Sequence, residues 1–282
     1  MECSAGISAD RPSVVIEPRR GLLQLELGSI WQYRELLCFL IWRDVLTRYK
    51  QTAIGAAWVV VQPLITMLIF TFVFSRLAKV PSDGIPYPLF AFAALLPWTY
   101  FSQALAKTSG SIVSNANLVT KIYFPRLLIP LAAALAPVVD LLFSFLVLLV
   151  LMGWYRVVPS AGLLLLPLFL ILALVTALAV GLCSSALNVR YRDVGSIIPF
   201  VSQVWMYVSP VAYPVSAVPE QWRLLYSLNP MVAVIEGFRW ALLGTAPPDP
   251  LPMMVSTAVI LLLCFVGIIY FKNMEQSFAD VI

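Results

Sequence analysis

The chain has 282 residues, of which 61% are hydrophobic and 11% charged, with a mean hydropathy of +0.92, whereas ordinary soluble domains are roughly 45–50% apolar and 25% charged. Lipid is the solvent that such a chain needs. It contains no histidine, the commonest general base and metal ligand, and its net charge of +4 forms no patch that calls for nucleic acid.

Residues 1–30 carry Asp10, Glu17, Glu26 and several arginines but no apolar stretch of the kind a cleavable signal needs, so they are expected to be a cytosolic arm. In residues 31–52, Leu36 to Trp42 is an apolar run bracketed by Arg34, Glu35, Arg43 and Asp44, too short to cross a bilayer. Its length predicts a helix at the cytosolic interface; a plain arm helix packed on the bundle is the other reading.

A crossing helix needs about 20 mostly apolar residues, and six stretches qualify: Ala53 to Phe74, Leu89 to Leu105, Leu127 to Met152, Leu163 to Leu187, Ile197 to Ala212 and Met253 to Phe271. The second and fifth are short. Pro63, Pro97, Pro130, Pro137, Pro167 and Pro199 lie in or near them and predict kinks that neighbouring helices accommodate. The expected fold is therefore an all-α integral membrane protein of one domain: a six-helix bundle over residues 53–272 and a cytosolic tail over 273–282. With the N-terminus inside, Arg11, Arg19, Arg20, Arg34, Arg43, Arg48, Lys50, Lys107, Lys121, Arg126, Arg190, Arg192 and Lys272 are cytosolic, against Arg76, Lys79, Arg156, Arg223 and Arg239 outside. That bias places both termini in the cytosol.

Polar residues inside this pattern are the candidates for function. Asp140 stands about midway through the third span, where an aspartate costs about 2.5–3.5 kcal/mol on insertion scales, a cost that the surrounding Leu, Phe and Val offset. It reads equally as a functional acid or as a protonated or hydrogen-bonded structural group facing Ser or Thr on another helix. Arg190, Arg192 and Asp193 end the fourth span, where cations both anchor topology and favour a helix C-terminus. Their functional reading is contact with a partner or with an anionic headgroup or pyrophosphate. Trp98, Tyr100 and Phe101, with Trp205, Tyr207 and Tyr213, gather toward the outer side. They suit an interfacial belt or, in part, the wall of a pore.

Between the fifth and sixth spans, Tyr213 to Pro252 contains the apolar run Met231 to Leu243, about 20 Å as a helix and too short to cross. With Glu220 to Leu228 before the Asn229-Pro230 break, it predicts two half-helices that dip into the outer leaflet and return; a surface loop with interfacial helices is the alternative. The four cysteines, Cys3, Cys38, Cys183 and Cys264, lack metal-ligand spacing, so neither zinc nor a disulfide is expected. None of the thirteen glycines opens a Gly-Lys-Ser or Gly-Lys-Thr phosphate loop, so any ATP-driven work needs another subunit.

Four blocks point to a family. They are RELLCFLIWRDVLTRYKQTAIGAAWVVVQPL (Arg34 to Leu64), SNANLVTKIYFPRLLIP (Ser114 to Pro130), NVRYRDVG (Asn188 to Gly195), and SPVAYP (Ser209 to Pro214) followed by SLNPMVAVIEGFRWALLG (Ser227 to Gly244). In order and spacing they resemble the membrane subunit of ABC-2 class polysaccharide exporters, which move O-antigen, capsule and teichoic acid precursors. The resemblance implies a homodimer with a pore at its interface in the cytoplasmic membrane, no cofactor bound by this chain, and two cytosolic ATPase subunits that carry ATP and Mg. It implies a lipid-linked glycan as substrate and a coupling helix in the Lys107 to Arg126 loop. Ser114, Asn115 and Asn117 are of types that cap such a helix, and Arg43 and Asp44 are further candidates for coupling to the ATPase. It makes the 213–252 half-helices, with Glu236 and Arg239, an outer gate. An exporter of small hydrophobic molecules is the nearest alternative. A membrane-embedded transferase is disfavoured because the spans offer almost no acid besides Asp140.

Overall fold

The computed structural model describes residues 27–50, 55–275 and 278. The expected arm with Cys3, the first residues of the first predicted span, and most of the expected tail lie outside the described residues.

Among the described residues every regular element is helical. Two helices come first, α1 (Leu27–Gln32) and α2 (Arg34–Lys50). Then follow α3 (Gly55–Phe70), which runs on as a π-helical stretch Thr71–Leu77, α4 (Tyr87–Ser114), α5 (Ala116–Lys121), α6 (Leu128–Leu135) and α7 (Val138–Trp154). After a 3-10 turn, Ala161–Leu165, come α8 (Leu166–Arg190), α9 (Val194–Val208), α10 (Glu220–Tyr226), α11 (Pro230–Leu243) and α12 (Pro250–Glu275). Among the described residues five stretches are long and apolar enough to cross a membrane: Ala57–Leu77, Tyr87–Ser114, Leu128–Trp154, Gly162–Arg190 and Pro250–Glu275.

Two predicted spans differ from what is observed. The second, expected to stop at Leu105, continues to Ser114. Its added turns carry Thr108, Ser109 and Ser111, all buried, so they face protein rather than lipid, and hydropathy misjudges them. The fifth is α9, whose 15 residues reach about 22 Å at 1.5 Å per residue, short of the roughly 30 Å hydrocarbon core. The third bends where it was expected to: Ala136 and Pro137 form a turn between α6 and α7, because proline cannot bond to the preceding turn.

α4 is the central post. Leu89 to Phe101 is buried at nearly every position, and α3, α6, α7, α8, α9 and α11 all pack against it. Lipid-solvated helices gain no hydrophobic force from pairing, so close backbone approach through small residues matters more. At Gly267 of α12, a β-carbon would stand 2.5 Å from the carbonyl oxygen of Ala179 in α8, a backbone atom that cannot step aside.

The bundle has two unlike ends. At one, here the near end, α4 gives way to α5, Asn188 of α8 donates to the Ser109 carbonyl at 3.1 Å, and the Arg126 guanidinium bonds the Glu275 carbonyl that closes α12. At the far end, the Tyr87 hydroxyl donates to the Ala212 carbonyl at 2.7 Å, and Ser160 donates to the carbonyls of Trp240 and Ala241. There Ser256, in the second turn of α12, donates to Ser227 at 2.6 Å. Of these bonds, the two from Ser160 hold α11 itself.

Gly267→Ala is expected to lower stability by about 1–3 kcal/mol, the usual cost of overpacking. Gly110→Ala, where a β-carbon meets nothing within 4 Å, should be neutral or gain up to about 1 kcal/mol from helix propensity. Unfolding of the detergent-solubilised protein by denaturant titration measures both.

Candidate functional site

At the near end, α4 stops at Ser114 and α5 starts at Ala116, with Asn115 between them. The short helix expected in this loop is therefore present, but its expected capping is not. Asn115 occupies the N-cap position of α5 without bonding to the helix. Its side-chain amide donates backward to the Ser111 carbonyl at 2.9 Å, and its Oδ1 accepts from Arg43 Nη2 at 2.8 Å. Ser114 turns back to the Ser111 carbonyl as well, and Asn117 is exposed. The guanidinium outcompetes a neutral backbone N–H for Asn115, since charge-assisted bonds are the stronger. Arg43 is itself held by Asp44 Oδ1 at 2.8 and 3.1 Å. The predicted coupling residues Arg43, Asp44 and Asn115 thus form one cluster that ties α2 to the start of α5.

α2 contains the apolar run of the interface segment. Leu40 is buried, whereas Phe39, Trp42 and Leu46 are exposed along one side, and the helix lies against α6. Its last turn enters the bundle. Arg48 forms an ion pair with Asp140 and donates to Gln103 of α4 at 3.0 Å, and the Tyr49 hydroxyl donates to Asp140. Asp140 is only 5% exposed, so the predicted intramembrane acid does not face Ser or Thr on another helix: a cation and a phenol brought in by α2 answer it. Because the chain breaks at Pro137, Asp140 also sits in the first turn of α7, where the helix dipole favours a negative charge. Burial and the bond to Asp140 both raise the Tyr49 phenol above its ordinary pKa, which keeps it a donor.

Arg190, Arg192 and Asp193 are exposed at the turn between α8 and α9. Arg190 lies over the Tyr191 ring at 5.5 Å, and Asp193 precedes α9 without capping it.

At the far end, the half-helix boundaries expected from the Asn229-Pro230 break are those of α10 and α11, and Asn229 caps α11 by accepting from Met231 N–H at 3.0 Å. Gly237 lets α11 lie against α8, because a β-carbon there would meet the Phe169 ring at 2.2 Å. Arg239 was a candidate gate residue, yet it is 2% exposed. It donates to the carbonyls of Val211 at 2.8 Å, Phe90 at 3.4 Å and Tyr213 at 3.5 Å, and its guanidinium lies 3.5 Å from the centre of the Phe90 ring. Burial pulls it down to about 10, which leaves it a cation at neutral pH. Beside it a cavity of about 400 Å³ is lined by Asp83, Arg223, Glu236, Arg239 and Asp249 among others. Burial raises the Glu236 carboxyl, and Arg239 opposes the rise.

The aromatic candidates separate into two groups. Trp98, Tyr100 and Phe101 are buried to 4%, 2% and 0% exposure. Phe101 stacks edge-on with Trp205 at 5.1 Å, and Tyr100 donates to the Ala134 carbonyl. In this structure neither a headgroup belt nor the wall of an interface pore describes these three. They fill the protomer's own core because α4 is enclosed on all sides. Trp205 is half-buried and donates to Asn229 Oδ1 at 2.9 Å, which links α9 to the cap of α11. Tyr207 is 56% exposed, and Tyr213 accepts from Tyr226 at 3.1 Å.

The family model of the ABC-2 type transporter matches residues 35–243, the stretch that holds the α2 cluster, the α5 loop and the far-end hairpin. The chain belongs to the ABC-2 type transporter family. This ABC-2 chain is similar to the O-antigen export system permease protein RfbA of Myxococcus xanthus, with 28% identity over 255 residues that cover 89% of this chain and 97% of that one. It is also similar to the capsule polysaccharide export inner-membrane protein CtrC of Neisseria meningitidis, 27% identical over 84% of this chain and 91% of the relative. The polysialic acid transport protein KpsM of Escherichia coli is 22% identical over 83% and 92%.

For the ABC-2 chain, sequence reasoning named Asp140 but not the partners Arg48, Tyr49 and Gln103. The one available signal was the pair Arg48-Tyr49 at the end of a segment too short to cross.

Arg239→Ala strands three carbonyls and should cost about 3 kcal/mol. Arg239→Lys should recover little, since one ammonium lacks the planar fork that reaches several acceptors. Denaturant unfolding in detergent reports both, and wild-type stability in Arg239→Ala would contradict this account of the hairpin.

Proposed function

We propose that this ABC-2 chain is the membrane subunit of an ATP-driven exporter that moves a lipid-linked polysaccharide across the cytoplasmic membrane. It works as a homodimer with two ATPase subunits docked on the near, cytosolic end. The observation that carries this reading is the contrast between the ends. The near end exposes a short helix, α5, that α2 holds through Arg43 and Asn115, as a surface receiving a push from a soluble partner requires. The far end is closed by α11, which is almost wholly buried.

The relatives' names supply the cargo class, since they describe O-antigen and capsule polysaccharide permeases. The position of α9 supports a reading of six crossings. It leaves the near end after Arg190, and Trp205 and Ser209 meet Asn229 at the far end. The turn after Val208 completes the passage that α9 is too short to make alone. The hairpin of α10 and α11 then enters and leaves on one side, and both termini fall in the cytosol. Exposed Arg190 and Arg192 suit the docking of an ATPase or the capture of an anionic pyrophosphate, for which a guanidinium fork is fitted.

Co-expression with a partner ABC ATPase subunit should yield a complex that, in inverted membrane vesicles, accumulates glycan inside only when ATP is supplied. Arg190→Ala combined with Arg192→Ala should insert normally yet lose export. Tags at Ser82 and Thr245 should react only from the extracytoplasmic side. No ATP-dependent glycan uptake by the wild-type complex would reject the assignment, and a cytosolic tag at either position would reject the topology.

A further inference from the structure

Arg48, Tyr49 and Asp140 join the end of α2 to α7 and, through Gln103, to α4. α2 packs along α6, and its last turn grips Asp140 on the other side of the Ala136-Pro137 break, in α7. The same arginine reaches Gln103 in α4. Tyr49 adds an edge-on contact with the Phe143 ring at 6.4 Å. Arg43 and Arg48 both belong to α2, so both grips lie on one helix: Arg43 holds Asn115 at the head of α5, and Arg48 holds Asp140. A helix transmits displacement along its length, and a proline break is where a helix bends.

We propose that Arg48 and Asp140 are positioning residues for transport: their ion pair makes α2 a lever that sets the angle between α6 and α7 at Pro137, so that a displacement of the α5 loop reaches the middle of the membrane. The pair suits this work because it does not part when strained. Separating it would leave the Asp140 carboxylate with the Tyr49 hydroxyl but no cation, in a bundle with little water, and removing one partner of a buried pair is strongly destabilising. Beside Asp140 there is space of about 10 Å³ between Thr99, Gln103 and Ser144, room for about one water at most, which is too little to hydrate a freed charge. α2 and α7 therefore move together, and the bend at Pro137 takes up the difference from α6.

The inference rests on the exporter reading, and one assay separates the two. Complexes of wild type, Arg48→Gln and Asp140→Asn with the ATPase are placed in inverted vesicles, and glycan taken up per ATP hydrolysed is measured. The variants are expected to assemble and hydrolyse ATP while that ratio falls about 10-fold, within the range of coupling energies that mutations alter. In a background with Cys3, Cys38, Cys183 and Cys264 changed to serine, a short bifunctional thiol reagent joining Tyr49→Cys to Phe143→Cys should restore the ratio in Arg48→Gln. A merely structural pair would lower the yield of complex and leave the ratio unchanged. An unchanged ratio in the assembled variants overturns the proposal, as does a cross-link that forms without restoring it. Should both variants fail to assemble, Arg48→Lys, which keeps the charge and loses the fork, decides by the same ratio. Wild-type complexes that take up no glycan would remove the exporter reading and the lever with it.

Discussion

A polar group inside a lipid-solvated bundle has no water to fall back on, so the chain must answer each one from its own atoms. That constraint ranks the interactions here. The hydroxyl pair Ser102 and Ser202, 3.1 Å apart, belongs to a class of interhelical bonds worth about 0.6 kcal/mol on average; either serine can be lost at little cost. Asp140 and Arg239 are of another order, because an unpaired buried charge costs several kcal/mol. The chain answers both with partners distant in sequence, and these two charges fix where α2 and α11 sit.

Hydropathy made the long apolar helices legible because lipid imposes a single length requirement on every crossing segment. It failed where protein rather than lipid surrounds a helix. The last turns of α4 carry Lys107, Thr108, Ser109 and Ser111, whose polarity ends a hydropathy window although the helix continues, since α8 and α6 cover it. The break at Pro137 was legible because proline acts through its own backbone. The fifth span was legible as short, but its end was not, because Ser209 and Pro210 end α9 four residues before the apolar pattern stops.

Residue types marked the candidate site more reliably than the contacts they would make. Arg43, Asp44 and Asn115 were named as candidates for one role with no contact expected between them, and they meet; Asn115 serves as an acceptor for Arg43 instead of a cap, since capping preferences say nothing about a competing guanidinium 72 positions away. Asp140 was visible as an anomaly, while of its partners, 91 and 92 positions earlier, Arg48 was counted as a topology-setting charge and Tyr49 carried no signal of its own. Trp98, Tyr100 and Phe101 misled for a similar reason: an aromatic at the outer end of a span belongs to the headgroup boundary only if its helix faces lipid, and α4 does not.

The bonds at the far end also limit how that end can open. Arg239 joins α11 to the carbonyls of Val211 and Tyr213 and, through Phe90, to the first turn of α4. Pulling α11 away from these would strand carbonyls and a cation together. Its contact with α8 is of a different kind, the Phe169 ring lying on Gly237, with apolar atoms on both sides and no hydrogen bond to break at that contact. Apolar surfaces that part in a membrane are covered again by lipid tails at little cost, for lipid is as apolar as the helices themselves. That seam is still bridged nearby, because Ser160, at the turn that leads into α8, donates to the carbonyls of Trp240 and Ala241, so parting α11 from α8 would cost those two bonds as well.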